Sequence, residues 1–106
     1  MSEFVEKVRP LIRADNVWIS EHGYDKLAED GLTAREVLSG IPDAVVGEEY
    51  PNYPKGPCVL FLQRDGNGAP IHVVWGIPNG HDNLVVLITA YRPGPGRWDE
   101  SFTRRR

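Results

Sequence analysis

The second half of the chain contains three apolar β-type runs separated by turn sequences, and this spacing constrains the fold most strongly. The runs CVLFLQRD, IHVVWGI and LVVLITAY occupy residues 58–65, 71–77 and 84–91, with GNG and PNGHDN between them. Short apolar runs joined by turns rich in Gly and Asn are typical of β-hairpins. The pattern therefore predicts an antiparallel meander, and AVVGEEY (residues 44–50) predicts one further strand before it.

The first part of the chain carries helical patterns instead. Apolar side chains in residues 3–13 recur at helical spacing, although Pro10 predicts that this helix kinks or ends near Arg9, because proline lacks the N–H and clashes with the preceding turn. Residues 21–31 predict a second helix that stops at glycine. The sequence TARE matches a capping box and predicts a third, short helix over residues 34–39.

A β-type run, NVWIS (residues 16–20), lies between the first two predicted helices. Helical patterns that precede a series of strands favour the α+β class, with the helices on one face of the sheet. We predict two or three N-terminal helices packed on a four- to five-stranded, mainly antiparallel sheet. At 106 residues, the chain is expected to form a single domain over residues 1–106.

Composition narrows the classes of protein and of site. The longest apolar runs are far shorter than the roughly 20 residues of a membrane span, and no signal-peptide pattern begins the chain, so a cytoplasmic protein without membrane contact is expected. Cys58 and the three His show no metal-ligand spacing, so we expect neither a metal nor a cofactor. The net charge is −3, with −6 in residues 1–50 and +3 in residues 51–106, which allows separate acidic and basic contact surfaces.

Alternation along the predicted strands separates an apolar face from a more polar one. In the last strand the apolar set is predicted to contact the helices, and its members are Leu84, Val86, Ile88 and Ala90. The other set becomes polar toward the strand end, where it contains Thr89 and Tyr91. In the preceding strand, His72 shares the second face, so it is expected to line up with Thr89 and Tyr91 on an uncovered side of the sheet.

The chain resembles the bacterial domain-of-unknown-function family DUF4258 over about residues 16–98. The resemblance lies in SEHGYDKLAEDGL, EEYP, IHVVWG and ITAYRP…RW, and the matching family positions are Ser20, His22, His72, Val73, Val74, Thr89 and Tyr91. Many members carry Arg four and eight residues after the helical His, where this chain has Lys26 and Asp30. The family looks related to the RelE/BrnT-like toxin fold. The resemblance therefore implies a ribonuclease toxin that acts on RNA and is held inactive by an antitoxin protein.

Metal-independent RNA cleavage needs a base for the 2′-hydroxyl, an acid for the leaving oxygen and cations for the transition-state charge. On this hypothesis His22 or His72 is the general acid or base. Tyr91 is the third predicted catalytic residue, and it positions the substrate. The predicted substrate-binding residues are Lys26, Thr89, Arg92 and Arg97. The alternative is a non-catalytic protein- or ligand-binding module, in which Trp75, Tyr91 and Trp98 supply contact area and the histidines are incidental.

Overall fold

Helices and strands follow one another along the chain as the sequence predicts. The computed structural model describes residues 3–94, 96, 98 and 101–103. In this part of the chain the helices are α1 (Glu3–Arg13), α2 (Glu21–Glu29), α3 (Ala34–Ser39) and a 3-10 turn (Ile41–Asp43). The strands are β1 (Val17–Ile19), β2 (Val45–Tyr50), β3 (Cys58–Arg64), β4 (Pro70–Gly76) and β5 (Val85–Tyr91). The predicted α+β class, with helices on a mainly antiparallel sheet, is confirmed.

The strands form one sheet in the order β1-β5-β4-β3-β2. Strands β2 to β5 pair antiparallel with their chain neighbours, whereas β1 pairs parallel with β5, with Val17 opposite Val85. A parallel pair cannot be closed by a hairpin, so the chain leaves β1, crosses one face of the sheet through α2 and α3, and enters at the opposite edge. The buried residues of α1, α2 and α3 form one core with one face of the sheet, and we call the other side of the sheet the outer face.

Helix α1 continues through Pro10 and ends at Arg13, so the predicted end near Arg9 is wrong. The apolar stripe explains why: Val8 and Ile12 are both buried, on either side of a proline that faces solvent. Burial of this stripe outweighs the hydrogen bond that Pro10 cannot donate.

The starts of α2 and α3 are fixed by side-chain caps. The Ser20 hydroxyl accepts a hydrogen bond from the Gly23 N–H at 3.0 Å, and the Thr33 hydroxyl accepts one from the Glu36 N–H at 3.1 Å. The Glu36 carboxylate accepts hydrogen bonds from the Thr33 hydroxyl at 3.2 Å and from the Gly66 N–H at 3.1 Å. It thereby ties α3 to the β3–β4 hairpin.

The core lies between the helices and the inner face of the sheet, with Phe61, Val73 and Trp75 fully buried. Two polar groups in this layer are satisfied in series: the Trp75 indole N–H donates to the Gln63 side-chain oxygen at 3.1 Å, and the Gln63 amide donates to the Val37 carbonyl at 2.8 Å. Trp75 is therefore a core residue.

A β-bulge in β5 changes which side chains face the helices. Val74 lies opposite Thr89 but Trp75 lies opposite Leu87, so Ile88 is an extra residue between two paired positions. The alternation restarts there, and the core contains Val85, Leu87 and Ala90. The prediction that Val86 and Ile88 contact the helices is wrong, because both belong to the outer face.

Candidate functional site

His72 and Tyr91 lie directly opposite each other on β4 and β5, as the predicted faces require. The Tyr91 hydroxyl is 3.4 Å from Nδ1 of His72, and the two rings meet edge to face at 5.3 Å between centroids. Tyr91 is partly exposed, whereas His72 is 0% exposed. The pair therefore presents only its tyrosine to solvent.

The second ring nitrogen of His72, Nε2, determines which nitrogen of the ring can accept a proton from Tyr91. Nε2 of His72 is 2.7 Å from the carbonyl oxygen of Phe102. A carbonyl can only accept, so Nε2 carries the hydrogen and, in the neutral ring, Nδ1 keeps its lone pair. That lone pair lies toward the Tyr91 hydroxyl, which places His72 as a proton acceptor behind the tyrosine.

The last described residues of the chain cover His72 from the outer face. The Trp98 ring stands edge to face against the imidazole at 4.3 Å and is itself 2% exposed. The carbonyl of Thr103 lies 3.7 Å from where a Cβ on Gly47 of β2 would be, so the segment reaches the far edge of the sheet. The expectation that His72 lies on an uncovered side is wrong, because Trp98 and Phe102 fill that space. In this arrangement His72 can act on a substrate only through Tyr91.

Helix α2 runs alongside β5 and carries two further predicted site residues, His22 and Lys26. A Cβ on Gly23 would lie 2.9 Å from the Leu87 carbonyl oxygen, and the Asp30 carboxylate accepts a hydrogen bond from the Arg92 N–H at 2.9 Å. Lys26 lies in α2 between these two anchors, three residues after Gly23 and four before Asp30. His22 is exposed in the first turn of α2, and Lys26 makes an ion pair with Glu29 at 3.3 Å.

Arg92 joins three parts of the fold. Its guanidinium lies 2.8 Å from the Asp65 carboxylate in the β3–β4 hairpin and donates to the Asp30 carbonyl at 3.3 Å. Its hydrogen bond, together with backbone N–H donors from Ala69 and Asn67, holds the pKa of Asp65 below its ordinary value. The geometry makes Arg92 a clamp between α2 and the hairpin, and its role in phosphate binding stays a prediction.

The two remaining predicted substrate-binding residues are Thr89 and Arg97. Thr89 is half-buried on the outer face opposite Val74, two pairs along from His72 and Tyr91. Arg97 lies outside the described residues. The structure thus brings together His72, Tyr91 and Thr89, and it puts His22 and Lys26 on the helix beside the same strand.

An apolar groove on the outer face has no counterpart among the predicted site residues. It has a volume of about 260 Å³ and is lined by Trp18, Tyr53, Lys55, Gly56, Cys58, Gly76, Ile77, Pro78, Val86 and Ile88. Trp18 and Tyr53 are 57% and 48% exposed. Burial raises the pKa of the Cys58 thiol. No local signal marks this groove, since it depends on the parallel pairing of β1 with β5 and on the bulge at Ile88.

Among the described residues, no group of three or more His, Cys, Asp or Glu side chains stands close enough to hold a metal ion. The same part of the chain has no helix with the length and apolar character needed to cross a bilayer.

The family model of a domain of unknown function (DUF4258) matches residues 19–92, which include α2, α3 and strands β2 to β5. The match also contains His22, Lys26, His72, Thr89, Tyr91 and Arg92. No curated protein and no solved structure matches the chain.

Proposed function

Because the chain belongs to the DUF4258 family, which looks related to the RelE/BrnT-like toxin fold, we propose that it is a toxin-like ribonuclease that cleaves RNA without a metal ion. The observation that carries the proposal is the partly exposed Tyr91 hydroxyl, 3.4 Å from Nδ1 of a buried histidine whose Nε2 lies 2.7 Å from a carbonyl oxygen. A tyrosine in front of a fixed proton acceptor is suited to remove a proton from a sugar hydroxyl.

In the proposed reaction, the 2′-oxygen of RNA attacks the adjacent phosphorus while its proton passes to the Tyr91 oxygen. The Tyr91 proton moves to Nδ1 of His72, and the Phe102 carbonyl stabilises the resulting imidazolium through Nε2. The bond from phosphorus to the 5′-oxygen breaks, giving a 2′,3′-cyclic phosphate and a 5′-hydroxyl. The ordinary pKa values of Tyr and His differ by about 3.5, so the two proton transfers must be concerted with the attack.

Two residues on α2 complete the proposed site. We propose that Lys26, which lies in α2 between the contacts of this helix with Leu87 and with Arg92, supplies positive charge to the phosphate in the transition state. His22, exposed one turn earlier, gives its proton to the leaving 5′-oxygen. Thr89 supports the substrate beside Tyr91.

The biological setting of this proposal is a toxin-antitoxin pair in the cytoplasm, where RNA is the substrate. A toxin-like ribonuclease arrests growth when it is made without its inhibitor. The proposed inhibitor is an antitoxin protein that covers Tyr91 and the adjoining outer face, because blocking that surface would keep RNA from the proton-transfer pair.

The test is induced expression of the protein in a bacterial host together with RNA cleavage by the purified chain in the presence of EDTA. We expect growth arrest and fragments that end in 2′,3′-cyclic phosphate. Tyr91→Phe removes only the hydroxyl and is expected to lower cleavage by 100-fold or more, within the roughly 10²–10⁴-fold range of general acid–base catalysis. Tyr24→Phe is the matched control, because Tyr24 is exposed on α2.

Three outcomes would contradict the proposal. The first is a purified protein that leaves RNA intact and does not arrest growth. The second is Tyr91→Phe that cleaves as fast as the parent chain. The third is cleavage that EDTA abolishes, which would assign the chemistry to a metal ion.

A further inference from the structure

We infer that the apolar groove of the outer face is a subsite for an unpaired base of single-stranded RNA, with Lys55 bound to an adjoining phosphate. This inference rests on the proposed ribonuclease function. It states how the protein would bind a part of the RNA that is distant from the bond that is cleaved. The groove lies on the same face as Tyr91, at the other end of β5.

The aromatic side chains of the groove are exposed to solvent. Four large apolar or aromatic residues of the described part are markedly exposed, and two of them, Trp18 and Tyr53, line this groove. Exposed aromatic rings that adjoin a groove are the usual platforms for stacking unpaired bases, since every base has a flat apolar face.

The floor of the groove is apolar. It has no side chain at Gly76, where a Cβ would lie 2.7 Å from Cδ1 of Ile88 and 3.3 Å from Sγ of Cys58. The absent side chain lets Ile88, placed on this face by the bulge, lie across β4. A planar base fits such a surface through contact area, with no dependence on its particular hydrogen-bonding groups.

The charge at the groove selects the class of ligand. Among the described residues that line it, Lys55 is the charged one, and it is exposed. A ligand with a flat apolar body and a negative charge satisfies both features, and a nucleotide has both.

The groove and the proposed reaction site at Tyr91 lie at different positions along the same strand, β5. Val86 in the groove and Tyr91 are five residues apart on one strand, which is about 16 Å at roughly 3.3 Å per residue. A single strand of RNA that follows β5 can therefore place a base in the groove while a phosphate a few nucleotides away lies at Tyr91.

The test is binding of short single-stranded deoxyribonucleotide homopolymers of each of the four bases, because they lack the 2′-hydroxyl and cannot be cleaved by the proposed reaction. Affinity is measured by tryptophan fluorescence and by calorimetry. We expect the bound oligonucleotide to quench Trp18, and Trp18→Ala or Tyr53→Ala to weaken binding by roughly 5- to 150-fold, the loss of one base–aromatic stack. Lys55→Ala is expected to lower the slope of log affinity against log salt by about 0.7.

Tyr24→Ala is the matched control, because Tyr24 is an exposed aromatic residue on α2, outside the groove. An abasic oligonucleotide of the same length is the ligand control and should bind as weakly as the Trp18→Ala variant binds the homopolymers. Urea unfolding of each variant verifies that it is folded.

The subsite is overturned if Trp18→Ala and Tyr53→Ala bind every homopolymer as tightly as the parent chain. It is also overturned if an apolar peptide quenches Trp18 while no oligonucleotide does, because the groove would then serve a protein partner. Normal RNA cleavage by the Trp18→Ala variant with unchanged KM would reject the subsite and leave the proposed function intact. Groove-dependent oligonucleotide binding without any RNA cleavage would keep the subsite and reject the catalytic proposal.

Discussion

At the scale of single residues, Asp65 links pH to stability. Arg92 and backbone donors hold the pKa of Asp65 below its ordinary value, so folding favours the charged carboxylate. That contribution is complete above the ordinary pKa of about 3.9 and is lost as pH falls through the lower pKa of the folded state. Asp65→Asn keeps an oxygen for the Ala69 and Asn67 N–H groups but loses the charge. Urea unfolding should show a destabilised variant at pH 7 and a difference that narrows below about pH 4.

The control for this prediction is Asp82→Asn, because Asp82 lies exposed in the turn before β5. Its urea midpoint should follow that of the parent chain across the same pH range. A deficit of Asp65→Asn that stays constant from pH 7 to pH 3 would show that Asp65 acts through packing and not through its charge.

Cys58 provides a second prediction at this scale. The side chain is 3% exposed and burial raises the pKa of its thiol, so the reactive thiolate is scarce at neutral pH. Labelling with iodoacetamide at pH 7.5 should therefore be far slower in buffer than in denaturing urea, as followed by mass spectrometry. Equal labelling rates in the two conditions would mean that the floor of the groove opens readily to solvent.

At the scale of elements, Pro10 should lower the stability of α1. The proline lies exposed within the helix and lacks the N–H that would bond the preceding turn. Pro10→Ala restores this bond and removes a penalty of roughly 3 kcal/mol. Up to about 1 kcal/mol of this gain is offset, because the unfolded chain gains entropy when proline is removed. The free energy of unfolding should rise by about 2–3 kcal/mol in urea titration. Lys7→Ala, exposed one turn earlier, should change it by less than about 0.5 kcal/mol.

The elements that sequence could predict are those fixed by local chemistry. The caps at Ser20 and Thr33 act over three residues, and both helices begin where these residues indicate. The bulge at Ile88 is different, because it depends on how β5 pairs with β4. The apolar run of β5 contains no residue that marks where the bulge lies. A single extra residue then reverses the faces, so strict alternation assigned Val86 and Ile88 to the wrong side.

At the scale of the whole molecule, the features missed in the sequence are contacts between distant segments. Arg92 meets Asp65 and Asp30 across 27 and 62 residues, and the Phe102 carbonyl meets His72 across 30. Alternation could place His72 beside Tyr91, because both lie on neighbouring strands of one meander. It could not show that a later segment covers the histidine, since such docking leaves no periodic pattern.

Because Trp98 packs against His72, its replacement tests whether this residue keeps the outer face of the sheet covered. Trp98 is 2% exposed against His72, so Trp98→Ala should lower the free energy of unfolding by about 3 kcal/mol or more, as large buried residues do. It should also increase binding of a fluorescent apolar dye, because the sheet beneath would be uncovered. Trp18→Ala is the matched control: Trp18 is 57% exposed, and its loss should cost little stability. If both variants unfold at the same urea concentration, Trp98 does not hold the end of the chain on the sheet, and His72 is open to solvent for much of the time.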